Sequence, residues 1–303
     1  MNSAWNRREA LLAGAGLALA PISAIGMERK MIARAVPSSG EMIPVVGLGT
    51  YNVFDVESSP DAIATRKKIV DLLTGEGGSM IDTSPMYNRS EKVIGDIIDA
   101  GSPRDALFLA TKVWTDGADA GARQMQRSLE LMNARVIDLM QVHNLRDTDV
   151  HMKTIRDWQA DGRIRYNGLT HYTASAHAAL EAGMRKHRPE FIQINYSLGE
   201  LEAETRVLPL AQDLGIAVII NRPYFTGRLF AAVAGIPLPA WAQEFAGSWG
   251  QFFLKFIISH PAVTCVIPAT SKPHHMTDNT EAGFGPLPDE KIRRRMVDFV
   301  KAL

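Results

Sequence analysis

The chain has 303 residues, 46% apolar and 22% charged, which supplies a sizeable core and excludes a disordered polypeptide; its 24 glycines follow no strict period, which excludes a collagen-like repeat. Lys+Arg and Asp+Glu number 33 each, so no overall positive field draws the chain to nucleic acid, and no tract interleaves basic and aromatic residues. The single Cys265 excludes an intrachain disulfide and a cysteine-rich metal site.

Residues 1–35 read as a leader. Arg7 and Arg8 precede an uncharged Ala-, Gly- and Leu-rich run from Ala10 to Gly26. That run is marginal for a spanning helix, which needs about 20 strongly apolar residues. A basic start, an apolar middle and a small-residue cleavage site describe an export signal. Asn6-Arg7-Arg8-Glu9-Ala10-Leu11-Leu12 resembles a twin-arginine signal, the route that carries folded proteins, and so implies a periplasmic location. Cleavage is expected after Ala33-Arg34-Ala35, with Ala24-Ile25-Gly26 as the alternative. An uncleaved anchor or an amphipathic N-terminal helix is the plainer reading, with a cytoplasmic location if the leader does not function. Any membrane contact is expected only through the leader or the export machinery.

From Met42 onward short apolar runs alternate with helix-patterned stretches. Strands are expected at Val45–Leu48, Met80–Asp82, Ala106–Thr111, Val136–Val142, Tyr166–Leu169, Phe191–Ile194, Ala217–Ile220 and Thr264–Ile267. Such runs, short, β-branched or apolar and mostly ended by a polar residue, are those of buried parallel strands. Helices are expected at Ala62–Leu73, after the Ser58-Ser59-Pro60-Asp61 cap, and then at Glu91–Ile98, Gly121–Met132, Val150–Asp161, Ala174–Lys186 and Ala203–Asp213. A long irregular unit, rich in Gly and Pro, runs from Pro223 into a Trp- and Phe-rich helix at Ala240–Ile258. About eight strand–helix units predict an α/β fold, a single-domain (β/α)8 TIM barrel over residues 36–303. An open doubly wound sheet is the runner-up, but Gly47-Leu48-Gly49-Thr50-Tyr51-Asn52 lacks the third glycine of a dinucleotide fingerprint.

In a barrel the chemistry gathers where strands end. Asp82 and then Tyr87 follow the second strand, Lys112 the third and His143 the fourth. Consecutive strands thus bring an acid, a phenol, an ammonium and an imidazole to one rim. Each alone has an ordinary structural explanation; together they suit proton delivery to an oxygen that gains negative charge. An ammonium near a phenol favours the phenolate and is expected to lower its pKa from about 10. A carboxylate keeps that ammonium charged, and an imidazole orients a carbonyl oxygen.

Ile81-Asp82-Thr83-Ser84-Pro85-Met86-Tyr87-Asn88, with Lys112 and His143, resembles the catalytic tetrad of the aldo/keto reductases. The resemblance runs from Ile43 to about Asn279 and takes in Gly47-Leu48-Gly49-Thr50, Gly168-Leu169-Thr170-His171-Tyr172, Gln193-Ile194-Asn195-Tyr196 and Ile267-Pro268-Ala269-Thr270-Ser271-Lys272-Pro273. It implies a (β/α)8 barrel that binds NADPH without a Rossmann domain and passes hydride to an aldehyde or ketone, a small carbonyl substrate. In those terms Tyr87 is the general acid, Lys112 its partner, Asp82 the holder of Lys112, and His143 the group that positions the carbonyl. Cofactor contacts are implied for Gly49, Thr50, Tyr51, Asp82, Thr170, His171, Gln193, Asn221, Arg222, Pro223, Thr270, Ser271, Lys272, His275 and Asn279.

The chain departs from the family pattern at several of these. Thr170-His171 replaces Ser-Asn, and Asn221 stands where many members stack an aromatic ring, a role Tyr224 or Phe225 would have to take over. His275 stands where an arginine often meets the adenosine 2′-phosphate and Ala269 where a lysine often does, so NADP is expected and NAD stays open. The altered nicotinamide contacts prompt an alternative function: a nicotinamide-binding regulatory or interaction subunit with little turnover.

Tyr51 and Trp114 are expected to line a substrate pocket, left open by the short tail after Asn279; Trp249 and Cys265 are read as packing. His274-His275 lacks a second ligand pair, so no metal is expected.

Overall fold

A strand with both faces covered reads as a near-continuous apolar run, yet its alternate residues still serve different partners. The computed structural model, which describes Met1 and residues 29–303, shows this division in every barrel strand. Among the described residues there are ten strands: β1 (Ala33–Ala35), β2 (Met42–Pro44), β3 (Leu48–Gly49), β4 (Met80–Asp82), β5 (Phe108–Val113), β6 (Ile137–His143), β7 (Ile164–Thr170), β8 (Phe191–Asn195), β9 (Ala217–Asn221) and β10 (Cys265–Val266). Strands β3 to β10 form one parallel sheet in sequence order. Parallel bridges from Val46 to Val266 and from Gly49 to Ala269 close it into a barrel. The expected single-domain (β/α)8 barrel is what the chain forms.

Closure explains a glycine. A side chain at Gly49 would bring a Cβ within 2.8 Å of the Ile267 carbonyl oxygen, so only glycine lets the first and last strands approach.

One set of alternate residues points into the barrel. Met80, Phe108, Ala110, Leu139, Tyr166, Phe191, Ala217, Ile219, Cys265 and Ile267 fill its lower interior, with Val36 and Ile43 beneath. Phe108, Tyr166 and Phe191 form a triangle of rings with centroids 5.3 to 6.0 Å apart. Such pairs contribute about 0.5–1.5 kcal/mol each beyond their burial. The other set, including Ile81, Leu109, Met140, Leu169, Ile192 and Val218, faces the helices.

The helices are α1 (Pro60–Gly75), α2 (Ser90–Asp99), α3 (Ala118–Leu131), α4 (Thr148–Ala160), α5 (His177–His187), α6 (Val207–Leu214), α7 (Arg228–Ala232), α8 (Trp249–Ile258), α9 (Pro273–Glu281) and α10 (Glu290–Lys301). Ser59 caps α1, its Oγ accepting from the Ala62 amide, and Pro60 occupies the first turn. The helix expected over Ala240–Ile258 is instead a 3-10 turn at Ala240–Ala242 and, after an extended Ser248 whose Oγ accepts from the Gln251 amide, α8. Helices α9 and α10 were not anticipated.

The expected leader lies largely outside the described residues, but its last part does not. Strand β1 pairs antiparallel with β2, Met31 packs in the core, and the Ile32 amide donates to the Gly283 carbonyl. The boundary expected at residue 35 therefore falls inside a hairpin that covers the lower end of the barrel. Among the described residues no helix is long and apolar enough to cross a membrane.

Candidate active site

The inward set changes character toward the carboxyl ends of the strands. Above the apolar filling stand Asp82 on β4, Lys112 on β5, Gln141 and His143 on β6, Thr170 on β7, Gln193 on β8 and Asn221 on β9. Strands β5 and β6 run one or two residues beyond their expected ends, so Lys112 and His143 lie within them and are held by the ladder.

Asp82 organises the site. Its Oδ2 accepts from Lys112 Nζ at 2.7 Å, and its Oδ1 accepts from Gln193 Nε2 at 2.7 Å and Gln141 Nε2 at 3.2 Å. Lys112, fully buried, also donates to the Thr83 carbonyl at 2.7 Å. Burial disfavours its charge, but the Asp82 carboxylate, through its charge and its hydrogen bond, outweighs that and holds its pKa above the ordinary value. The Thr50 amide and hydroxyl both donate to the Asp82 carbonyl, which ties the first loop to the second strand.

The Tyr87 ring centroid lies 5.1 Å from Lys112 Nζ and 6.1 Å from the His143 ring. The phenol's pKa is raised, against the expectation of a lowered one. Burial is the largest cause, the Asp82 charge adds to it, and the opposing pull of Lys112 does not overcome them. The phenol therefore keeps its proton at neutral pH. His143 is pushed down to about 2 by burial and by the charge of Lys112, so it is a neutral imidazole. Its Nδ1 lies 3.1 Å from Ser84 Oγ.

Next to the tetrad is a second polar group. Thr170 Oγ1 donates to Gln193 Oε1 at 3.2 Å, and Asn221 Nδ2 lies 3.1 Å from the His171 carbonyl and 3.4 Å from Gln193 Oε1. His171 Nδ1 accepts from the amides of Tyr172 and Thr173, which leaves the proton on Nε2. Asn221 Oδ1 is buried without a partner. Arg222, with φ of 51°, donates to the Tyr172 carbonyl at 2.7 Å, and Pro223 is buried beside it.

The remaining expected residues sit apart from this network, on the turn into α9. The Lys272 amide donates to Thr270 Oγ1 at 3.0 Å, while the side chains of Lys272 and His275 are exposed and Ser271 is half-buried. Asn279 is buried, its Oδ1 accepting from the Tyr224 hydroxyl at 2.5 Å. Gly49 serves barrel closure. Tyr51, 59% exposed, meets the Tyr87 ring edge-on at 5.1 Å. Trp114 is partly buried under the Arg146 guanidinium, 4.7 Å from its ring. Trp249 packs on Phe252 and Phe253, and the Cys265 thiol is buried, its pKa pushed up by that burial. Among the described residues no group of three or more His, Cys, Asp or Glu side chains is placed to hold a metal.

Two residues escaped the sequence reading. Gln141 is fully buried with its Oε1 unpartnered, and Ser84 is fully buried against His143. Period-two alternation places Gln141 on the same face as His143, so that signal was available; Ser84 had none beyond its place between Asp82 and Tyr87.

The chain resembles known proteins throughout this framework. It is 26% identical over 272 residues to glyoxal reductase of Bacillus subtilis (strain 168), covering 88% of this chain and 90% of that one. It is 24% identical over 311 residues to aldo-keto reductase str7 of Strobilurus tenacellus, covering 89% and 87%. Its fold matches the crystal structure of an aldo-keto reductase from Klebsiella pneumoniae in complex with NADPH, with a TM-score of 0.73 at 22% identity, covering 90% of this chain and 96% of that one. The family model for the aldo/keto reductases matches residues 45–295, and the chain accordingly belongs to the aldo/keto reductase family of NAD(P)H-dependent enzymes.

Proposed function

We propose that this chain reduces the carbonyl of a small aldehyde or ketone, with Tyr87 as the proton donor and NADPH as the preferred cofactor. The observation that carries the reading is the placement of a protonated phenol between a buried ammonium and a neutral imidazole at the barrel mouth. When bound, the cofactor supplies the hydride. Tyr87 gives its proton to the carbonyl oxygen as negative charge builds there. Lys112 stabilises the phenolate left behind, and the interaction grows as the proton leaves, so it favours the transition state over the ground state. Asp82 fixes Lys112. His143 orients the oxygen without competing for the proton.

The residues present fit a nicotinamide carboxamide. His171 Nε2–H offers a donor and the orphaned Asn221 Oδ1 an acceptor, complementary to its carbonyl and amide. Lys272, with Thr270 and Ser271, would meet the adenosine phosphates, and its exposed charge favours NADPH over NADH. The glyoxal reductase relative makes small dicarbonyls the first substrates to try.

Purified protein is expected to consume NADPH with such an aldehyde, and Tyr87→Phe to lose about 100-fold or more in kcat while still binding NADPH. A Phe variant as active as the wild type would remove the assignment. A second reading, cofactor binding with little turnover, draws on Asn221 in place of a stacking ring. Turnover on a panel of carbonyl compounds separates the two.

The paired arginines support export of the folded protein to the periplasm. Because residues 29–35 are built into the fold, we place the cleavage after Ala24-Ile25-Gly26. N-terminal sequencing of periplasmic protein tests this, and Arg7→Lys with Arg8→Lys should block export. Retention of the wild-type protein in the cytoplasm would refute it.

A further inference from the structure

We infer that Ser84 fixes the tautomer of His143, so that the imidazole presents Nε2–H to a carbonyl oxygen at the barrel mouth. The role at the carbonyl rests on the function proposed above; the tautomer itself does not. Ser84 is fully buried and His143 is 6% exposed. Ser84 Oγ lies 3.1 Å from His143 Nδ1, and the Met86 amide donates to the same Oγ at 3.2 Å.

A hydroxyl has one proton and two lone pairs. The Met86 N–H occupies one lone pair, and the proton needs an acceptor, because a buried O–H left unpaired is costly. Among the described residues Ser84 Oγ has two hydrogen-bond partners, the Met86 amide, which only donates, and His143 Nδ1, which is left as the acceptor for the hydroxyl proton. The hydroxyl therefore donates to Nδ1, which must be bare to accept. A neutral imidazole carries a single proton, and it is left on Nε2. Burial and the ammonium of Lys112 keep the ring neutral. In the other tautomer a lone pair on Nε2 would face the lone pairs of a carbonyl oxygen and repel it.

Ser84 is thus a positioning residue: it acts on the substrate through His143. The test is nitrogen NMR of protein labelled with ¹⁵N at histidine, the His143 signals being assigned by their loss in His143→Gln. The wild type is expected to show a bare, pyridine-like Nδ1 and a protonated, pyrrole-like Nε2. In Ser84→Ala the Nδ1 resonance should shift as its hydrogen bond is lost and the second tautomer becomes populated. The same variant should lose about three- to tenfold in kcat/KM, the range expected for one hydrogen bond, with an unchanged Kd for NADPH. A wild-type His143 protonated on Nδ1 would overturn the inference, as would an Nδ1 resonance indifferent to Ser84→Ala. An Nδ1 shift without any loss in kcat/KM would overturn the catalytic half. Should Tyr87→Phe remain active while the NMR result stands, the proposed function fails and the tautomer assignment survives.

Discussion

Gln193 and Asp82 meet across the barrel: Gln193 Nε2 donates to Asp82 Oδ1 at 2.7 Å although β8 and β4 stand four places apart in the eight-stranded ring. The contact is possible because the apolar filling stops one layer lower and both side chains lie on the inward set. It makes Gln193 part of two arrangements, the carboxylate that holds Lys112 and the amide group around Thr170 and Asn221. Gln141, on the neighbouring inward position to Lys112, joins only the first.

Removing each amide should therefore have different consequences. Gln141→Leu is expected to lower kcat about tenfold, the worth of one hydrogen bond to a charged group, with the Kd for NADPH unchanged. It should also move the alkaline limb of the pH–rate profile upward, since less of the Asp82 charge is offset and Tyr87 holds its proton more tightly. Gln193→Leu should lower kcat and weaken NADPH binding together. Equal effects of the two variants on cofactor affinity would contradict this division.

Lys112 is the buried cation on which the site turns. Lys112→Met leaves Asp82 buried with amide partners only, and unmatched buried charge is destabilising by about 3–5 kcal/mol. The pH dependence has a definite sign. The folded pKa of Lys112 is raised above its unfolded value, so its stabilisation is complete below about pH 10 and is lost as pH rises through the folded pKa. On the alkaline side, denaturant titrations should show the wild type weakening only above about pH 10, and Lys112→Met less stable throughout with a flatter alkaline limb.

Much of this arrangement was legible in the sequence, for a physical reason. Buried parallel strands are short apolar runs, and the polar residue that ends each one marks the rim, so Asp82, Lys112 and His143 announced themselves. The direction of the Tyr87 shift did not. It depends on how deeply the phenol is buried and how near Asp82 lies, and neither distance is encoded locally. The β1–β2 hairpin was hidden because Ala33-Arg34-Ala35 has the small-residue pattern of a cleavage site and only three residues of strand. Helix α10 was legible too and was overlooked: Ile292, Met296, Val297 and Val300 recur at helical spacing and pack on the core.

His143 predicts an acid limb of stability. Its folded pKa, about 2, lies below the ordinary value near 6.5, so the neutral ring's contribution is present above about pH 6.5 and falls away as the unfolded chain takes up a proton below it. The slope from this one group is at most about 1.4 kcal/mol per pH unit. His260, pushed down to about 4 by burial, adds to it over a narrower range. His143→Gln should flatten the loss of stability between pH 6 and pH 4, measured by urea denaturation. An unchanged slope would show that the buried imidazole is not neutral for the reason given.

The hairpin at the lower end bears on the proposed leader, because residues 29–35 hold it to the barrel. Strand β1 contributes its ladder to β2, Arg34 donates to the Ile258 carbonyl at 3.0 Å, and Arg29 pairs with Glu281 at 2.6 Å. Met31 is 9% exposed, and burying such a side chain is worth about 1.5–3 kcal/mol. The exposed Arg29–Glu281 pair adds little. A chain beginning at Val36 forfeits all of these and bares the edge of β2, whereas one beginning at Met27 keeps them. The shorter chain should melt at least about 5 °C below the full-length protein, and the chain from Met27 should match it. Equal melting temperatures for the two truncations would mean that β1 adds nothing to the fold, and the argument for cleavage before Met27 would go with it.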